Sequence, residues 1–294
     1  MKKKADLPAG GVRLTEARLK AYRDQTYYRT AQRRVRHIEA ALDFVNARGF
    51  VYFWPIKGVE MPSLWVAAAG NRPVADDHDD PGHVTWGWKD QWLGAKKWFY
   101  AKVLRGKATL IALRALPYFY ALSENFGDAE DYRLQYEAGQ LTVEAKQVYE
   151  ALLVKGKLDT IGLRREAHLA GAEHNTRFER ALVELQRDFK ILPVAVAQAG
   201  AWNYAFVYEL VGRWFPDLPA QARSISRSEA RAYLADCYLK SVGAAAEAQV
   251  GRLFGWRADE THRTCERLFA KRQIVPAEVA GDAPGPVWVT PTLL

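Results

Sequence analysis

Cysteine is almost missing from this chain: Cys237 and Cys265 are the only two in 294 residues. Both fall on apolar faces of predicted helices, where buried free thiols of a reducing cytoplasm are expected. Long apolar runs are missing too. No window approaches the roughly 18–20 apolar residues needed to span a bilayer, and Arg114 interrupts the nearest candidate, 108–122. Met1-Lys2-Lys3-Lys4 leads into no apolar stretch and does not read as a signal peptide. There is no Gly-rich phosphate loop, no Cys-x-x-Cys and no Gly-x-Ser-x-Gly. The expectation is a soluble, cytoplasmic protein with no cofactor and no membrane partner.

What is present is ordinary in bulk and skewed in charge. Apolar residues make up 49% and charged ones 26%, which fits a globular chain of one to three small domains. Lys and Arg outnumber Asp and Glu by 42 to 34, a net charge of +8. A basic balance favours polyanionic partners. An Arg-rich surface on a thermally stable protein is the alternative.

Residues 142–211 carry the clearest pattern. Thr142 caps an apolar helix, 143–154, and a short turn, 155–160, leads to a second helix, 161–169. A third, 173–189, ends at Ile191-Leu192-Pro193. Strands 194–196 and 204–210 follow around Gly200. Three helices and a hairpin are the order of a winged helix. The pattern returns beyond Ser226-Arg227-Ser228-Glu229, a capping box, with helices at 227–242, 244–254 and 259–273. Ile274-Val275-Pro276 repeats Ile191-Leu192-Pro193 at an offset of 274 − 191 = 83, which sets Arg263 on Arg180. A turn over 281–286 and a strand at 287–289 complete it.

The N-terminal third is less regular. Residues 1–13 read as a loose tail and 14–46 as one or two helices, followed by a strand, 50–54. Residues 70–85 are loop by composition. One long amphipathic segment, 89–104, a strand at 109–113 and a helix from Pro117 to 125 follow, with a polar boundary at 127–139. The expected fold is mainly α with small β-hairpins, an α+β chain of three tandem winged helices over 14–125, 140–215 and 226–294.

On the third helix of the central unit, Phe178, Leu182, Leu185 and Phe189 form a stripe about 60° wide. Arg180 lies opposite and Arg177 at the flank, with His174 and Asn175 at the end that reaches base edges in such folds. Arg suits guanine and phosphate, and Asn suits adenine. A plain solvated face is the alternative, and Glu179 and Glu184 favour it. The hairpin 194–208 has no Lys or Arg, so it packs on another domain or turns Trp202 and Tyr204 to a sugar or an unstacked base. Cations crowd the N-terminal third: Arg33 and Arg36 in one block, Lys96, Lys97, Lys102, Arg105 and Lys107 in another. These are candidate phosphate contacts, while Trp92 and Trp98 are assigned to the core.

Element order, the text from Phe44 to Trp54 and the segment 107–125 together resemble the AlkZ/YcaQ superfamily of winged-helix proteins, which includes DNA glycosylases. The resemblance implies three winged helices around a concavity, double-stranded DNA, possibly damaged, as partner, and a monomer. It also implies a catalytic Gln-x-Gln or Gln-x-Asp pair in the strand after the first-domain helix. That strand reads Tyr52-Phe53-Trp54 here, and neither Tyr52 nor Trp54 can hold water as a base. The family's catalytic residues are therefore not carried over. Glu60, Asp90 and Glu124 are the nearby carboxylates. The acidic run 76–80 with His78 and His83 lacks the fixed spacing of a metal site, so no metal is expected. Three readings stay open: a DNA-binding protein of repair or damage recognition, an N-glycosylase with a diverged catalytic residue, and a winged-helix transcriptional regulator.

Overall fold

In this computed structural model, residues 12–77, 79–200, 203–280 and 286–294 are described. Residues 1–11, His78, Ala201, Trp202 and 281–285, most of the span where a turn is expected, lie outside them.

The chain opens with strand β1 (Val12–Thr15) and helix α1 (Glu16–Thr26). A first unit follows: α2 (Ile38–Arg48), β2 (Phe50–Tyr52), α3 (Leu64–Ala69), α4 (Val84–Leu93), β3 (Phe99–Lys102) and β4 (Ala108–Ile111). Helices α5 (Leu116–Tyr120) and α6 (Asp131–Glu137) bridge to a central unit. This holds α7 (Val143–Lys155), β5 (Leu158–Asp159), α8 (Thr160–Glu166), α9 (Asn175–Arg187), β6 (Ile191–Ala197) and β7 (Ala205–Leu210). After α10 (Val211–Trp214) and α11 (Leu218–Arg223), a last unit comprises α12 (Arg227–Val242), β8 (Ala244–Ala245), α13 (Glu247–Phe254), α14 (Ala258–Ala270), β9 (Val275–Ala280) and β10 (Pro286–Val289).

Each unit repeats one order: helix, strand, two helices, hairpin. Each hairpin's second strand also takes the short first strand as an antiparallel neighbour, giving sheets β2-β4-β3, β5-β7-β6 and β8-β10-β9. Helices α9 and α14 are 13 residues long and start 258 − 175 = 83 apart, so the repeat read from Ile-x-Pro holds over the third helix. It slips earlier, where Gly243 (φ 80°) ends α12 and Ala244–Ala245 is a strand rather than the start of a helix.

Sequence periodicity misplaces two N-terminal segments. The segment 89–104 is not one amphipathic element: α4 stops at Leu93, and Phe99–Lys102 pairs with β4. Consecutive rings at 98, 99 and 100 bury both faces of a strand, Phe99 and Tyr100 at 0% and 9% exposure, an arrangement that a helical stripe cannot make. β1 joins the last sheet, parallel to β9 from Val12↔Ala277 to Thr15↔Ala280, and α1 packs on α12. It covers an edge that would otherwise be open to another chain. Arg23 Nε donates to Val242 O (2.9 Å) and Thr26 Oγ1 to Ser241 O (2.7 Å), which fixes the N-terminal segment to the C-terminal unit.

Phe178, Leu182, Leu185 and Phe189 are all buried, as their spacing requires. The largest core cluster draws Phe50 and Phe99 from the first unit, Phe189 from the end of α9, and Leu234 and Leu253 from the last unit. The units therefore share a core and hold the surface between them in a fixed shape. Both cysteines are buried and free, and burial pushes the Cys265 thiol up to about 12. Among the described residues, no helix is long and apolar enough to cross a membrane.

Candidate functional site

The hairpin of the first unit carries Lys102 and Lys107 on its strand ends and Arg105 at its tip. Arg105 (φ 54°) and Gly106 (φ 66°) both adopt left-handed backbone, as the tightest hairpin turns demand. Glycine is required at 106 for a second reason: a Cβ there would meet Val183 Cγ1 at 3.1 Å. Thr109 Oγ1 braces the turn, donating to Lys107 O (2.7 Å) and accepting from Leu104 N (3.2 Å). Gln186 Oε1 accepts from Lys102 N (3.0 Å), which seats the hairpin against α9.

Beneath this tip lies a cavity of about 730 Å³ where the three units meet. Arg105 reaches it from the hairpin, Glu124 and Asn125 from the bridge, and Arg187 and Asp188 from the end of α9. The last unit contributes Arg227, Arg231, Arg252, Trp256 and Glu260. Arg227 pairs with Glu124 (3.3 Å), Arg187 with Asp188 (3.2 Å) and Arg231 with Glu260. Arg105 and Arg252 have no ion pair among the described residues, so positive charge is left over.

Burial pushes the Asp188 carboxyl above its usual range, against the pull of Arg187. Behind it, Asn125 Nδ2 donates to Asp188 O (2.5 Å), and Lys190 Nζ donates to Asn125 Oδ1 (2.7 Å). Burial lowers Lys190 to about 8, opposed by Asp131 and Asp188. A carboxyl and an amine displaced toward neutrality beside one cleft mark it as a candidate site.

Of the residues singled out from sequence, the structure brings Lys102, Arg105 and Lys107 together on one hairpin. Arg180 sits exposed on α9, seven residues and so about two turns before Arg187. The others are spread elsewhere or engaged. The Lys96 ammonium lies over the Trp214 ring at 4.4 Å, while Lys97 is exposed on the same turn. Arg33 covers Tyr28 (5.5 Å), and Arg36 Nη2 donates to Ala31 O (3.4 Å). Asn175 Oδ1 accepts from Arg164, Arg177 pairs with Glu144 (3.3 Å), His174 with Glu173 (3.3 Å) and Arg263 with Asp259 (2.6 Å). The N-terminal end of α9 lies about 18 Å from Arg187 by helical rise. The cleft arginines 227, 231 and 252 were missed. Their one signal was the four-residue spacing of Arg227 and Arg231, which sets both on one face of α12.

Tyr52 and Phe53 are core residues, 0% and 1% exposed. The Tyr52 hydroxyl donates to Leu104 O (3.4 Å) under the cleft, and burial pushes it up to about 12 while Arg105 pulls the other way. Trp54 packs with Trp65, His83 and Trp86. Glu60 is held by Arg23 (2.8 Å) and Asp90 by Lys89 (2.6 Å), which leaves Glu124 as the one of those three carboxylates in the cleft. Among the described residues, no group of three His, Cys, Asp or Glu is placed to hold a metal.

Three like-ordered units around a basic cleft give this chain the fold of a solved DNA glycosylase. Streptomyces sahachiroi DNA glycosylase AlkZ superposes with a TM-score of 0.61 over 96% of this chain and 71% of that one, at 13% identity. The profile of AlkZ-related proteins matches residues 35–255, and the chain belongs to that AlkZ-related family. Comparison with curated sequences returns no match.

Proposed function

We propose that this chain is a DNA-binding protein of three tandem winged helices that acts, as a monomer, in the recognition or repair of damaged DNA. The observation that carries the reading is the basic hairpin, Lys102, Arg105 and Lys107, seated over a cleft with surplus arginine. Recurrence of helix, strand, two helices and hairpin supports the winged-helix reading over 14–125, 140–215 and 226–294, with β1 and α1 lent to the third. The glycosylase activity named for Streptomyces AlkZ supports damaged DNA as the partner. Phosphates supply the affinity, so binding depends steeply on salt. With about five phosphate contacts, the slope of log K against log salt is expected near −4.5. Fluorescence anisotropy of a labelled duplex between 50 and 200 mM salt measures it, and a slope near zero overturns the reading.

The cleft carboxyls favour a second reading: an N-glycosylase in which Asp188 positions the hydrolytic water in place of the strand motif. Wild-type protein is then expected to leave abasic sites in alkylated or crosslinked duplex, and Asp188→Asn to abolish them while DNA binding persists. Inactivity across lesion types sinks this version alone.

A further inference from the structure

A second cavity, of about 320 Å³, opens between α5, α12 and α14. Its volume is at the lower end of what holds one small ligand. It is separate from the cleft. Arg227, Arg231 and Leu234 turn one face of α12 to the cleft, while Glu229, Tyr233 and Asp236 line this second cavity. On a helix of 3.6 residues per turn the two sets point in opposite directions.

The lining holds two buried groups of opposite sign that are unsatisfied. Asp236 is 9% exposed; its Oδ2 accepts from Lys240 Nζ (2.6 Å), but its Oδ1 is buried with no hydrogen-bond partner. Arg267 Nη1 donates to Ser228 Oγ (2.9 Å), yet its Nε is buried and without a partner. Such groups cost free energy unless something polar meets them. They cannot answer each other. Arg267 and Lys271 lie near Glu229, whose carboxyl Ser226 and these two cations hold below its usual range. Asp236 is 236 − 229 = 7 residues further along α12, about 10 Å by helical rise. Glu229 Oε2 is spent on the helix cap, accepting from Ser226 N (3.0 Å) and Ser226 Oγ (2.6 Å). Lys271 is exposed, with no ion pair among the described residues. One end of the cavity therefore calls for an anion and the other for a donor. Between them stands a flat wall, Tyr118 stacked on Tyr233 with centroids 3.7 Å apart and planes at 8°. Arg114 donates to the Tyr233 hydroxyl and holds the pair in place.

The free ends of a short peptide complement such a cavity, and two or three extended residues span about 7–10 Å. We propose that this cavity binds a dipeptide or tripeptide by both ends, its N-terminal ammonium on Asp236 and its C-terminal carboxylate on Arg267 and Lys271. The inference goes beyond the DNA-binding reading and stands apart from it, because none of these three residues faces the cleft.

Triglycine is the probe, since it offers the two charged ends and no side chain. Calorimetry on the full chain is expected to give a Kd of about 1 mM. N-acetyl-triglycine and triglycine amide, each with one end neutralised, should bind about tenfold more weakly. Asp236→Asn should cost triglycine about tenfold and change the affinity of N-acetyl-triglycine by less than about twofold. Lys271→Gln, with Arg267 still in place, should cost triglycine about fivefold and leave triglycine amide nearly unchanged. Lys271 is exposed, so its variant stays informative even if Asp236→Asn unfolds. The absence of any binding heat with triglycine overturns the proposal, as does an affinity that both substitutions leave intact. Free glycine binding as tightly as triglycine overturns it too, because adjacent charges would then suffice.

Discussion

Lys89→Ala is expected to lower the stability of the chain by about 3–5 kcal/mol, the usual cost of breaking a buried charged pair from one side. Lys89 is 2% exposed on α4. Its Nζ donates to Asp90 Oδ1 (2.6 Å) and to the Tyr204 hydroxyl (2.8 Å), which itself donates to Asp90 Oδ1 (3.0 Å). The ammonium also lies 4.5 Å from the centroid of Phe206 and 5.2 Å from that of Tyr100. Desolvating the charge costs several kcal/mol, and these rings and oxygens offset it. Tyr204 and Phe206 belong to the central hairpin, so one ammonium fastens the first unit to the second. Alanine leaves a void and a carboxylate stripped of its cation. Lys89→Met also strips Asp90 of its cation but keeps the stem, so it should recover only the packing share of that loss, about 1 kcal/mol. Urea midpoints compare the two, and equal losses would show that the charge, which both variants lack, and not stem packing joins the units.

The pH dependence of that junction has a definite sign. Burial lowers the Lys89 pKa, opposed by Asp90, so the folded state releases its proton before the unfolded state does. Between the lowered value and the unfolded one near 10.4, the unfolded chain binds more protons, and stability rises with pH. Below the lowered value the penalty of burying the charge is present in full. Lys190, at about 8, contributes with the same sign. Buried tyrosines such as Tyr52 and Tyr120, both pushed up to about 12, act oppositely: the stability they lend is lost as pH rises from 10 through 12. Wild type should therefore gain on Lys89→Met as pH climbs toward 10.

This junction was half legible in the sequence. The absence of Lys and Arg from the central hairpin pointed to packing on another domain, and α4 does pack on β6. Nothing local marked Lys89 as the fastener, because a lysine on a helix reads as surface until its neighbours are known. The core stripe of α9 was legible because Phe178, Leu182 and Leu185 follow the helical period within one element. Strand β3 was not, since rings at 98, 99 and 100 carry no period. β1 escaped for a different reason: its partner lies more than 260 residues away in sequence, Val12 against Ala277. The cleft is the extreme case. Its arginines come from positions 105, 187, 227, 231 and 252, and only the packing of three units makes them neighbours.

Replacing Lys102, Arg105 and Lys107 together with glutamine should change DNA binding more than any single substitution. Each lost phosphate contact removes about 0.9 from the slope of log K against log salt, so three remove about 2.7. Over a fourfold rise in salt, from 50 to 200 mM, wild type should therefore lose about 40-fold more affinity than the triple variant. The weakening should be the same for every duplex sequence, because phosphate contacts carry no base information. Folding should survive, since the hairpin is seated through the backbone of Lys102 and through Gly106, which the substitutions leave in place. Glu179 tempers the outcome: it lies 3.6 Å from Lys102, so part of that cation is already neutralised, and Glu179→Gln should tighten binding slightly. Lys96→Gln serves as the contrast. Its ammonium is spent on Trp214, so the substitution should trim stability by about 0.5–1 kcal/mol and leave the salt slope unchanged. If the triple variant keeps the wild-type slope, DNA does not pass over this hairpin.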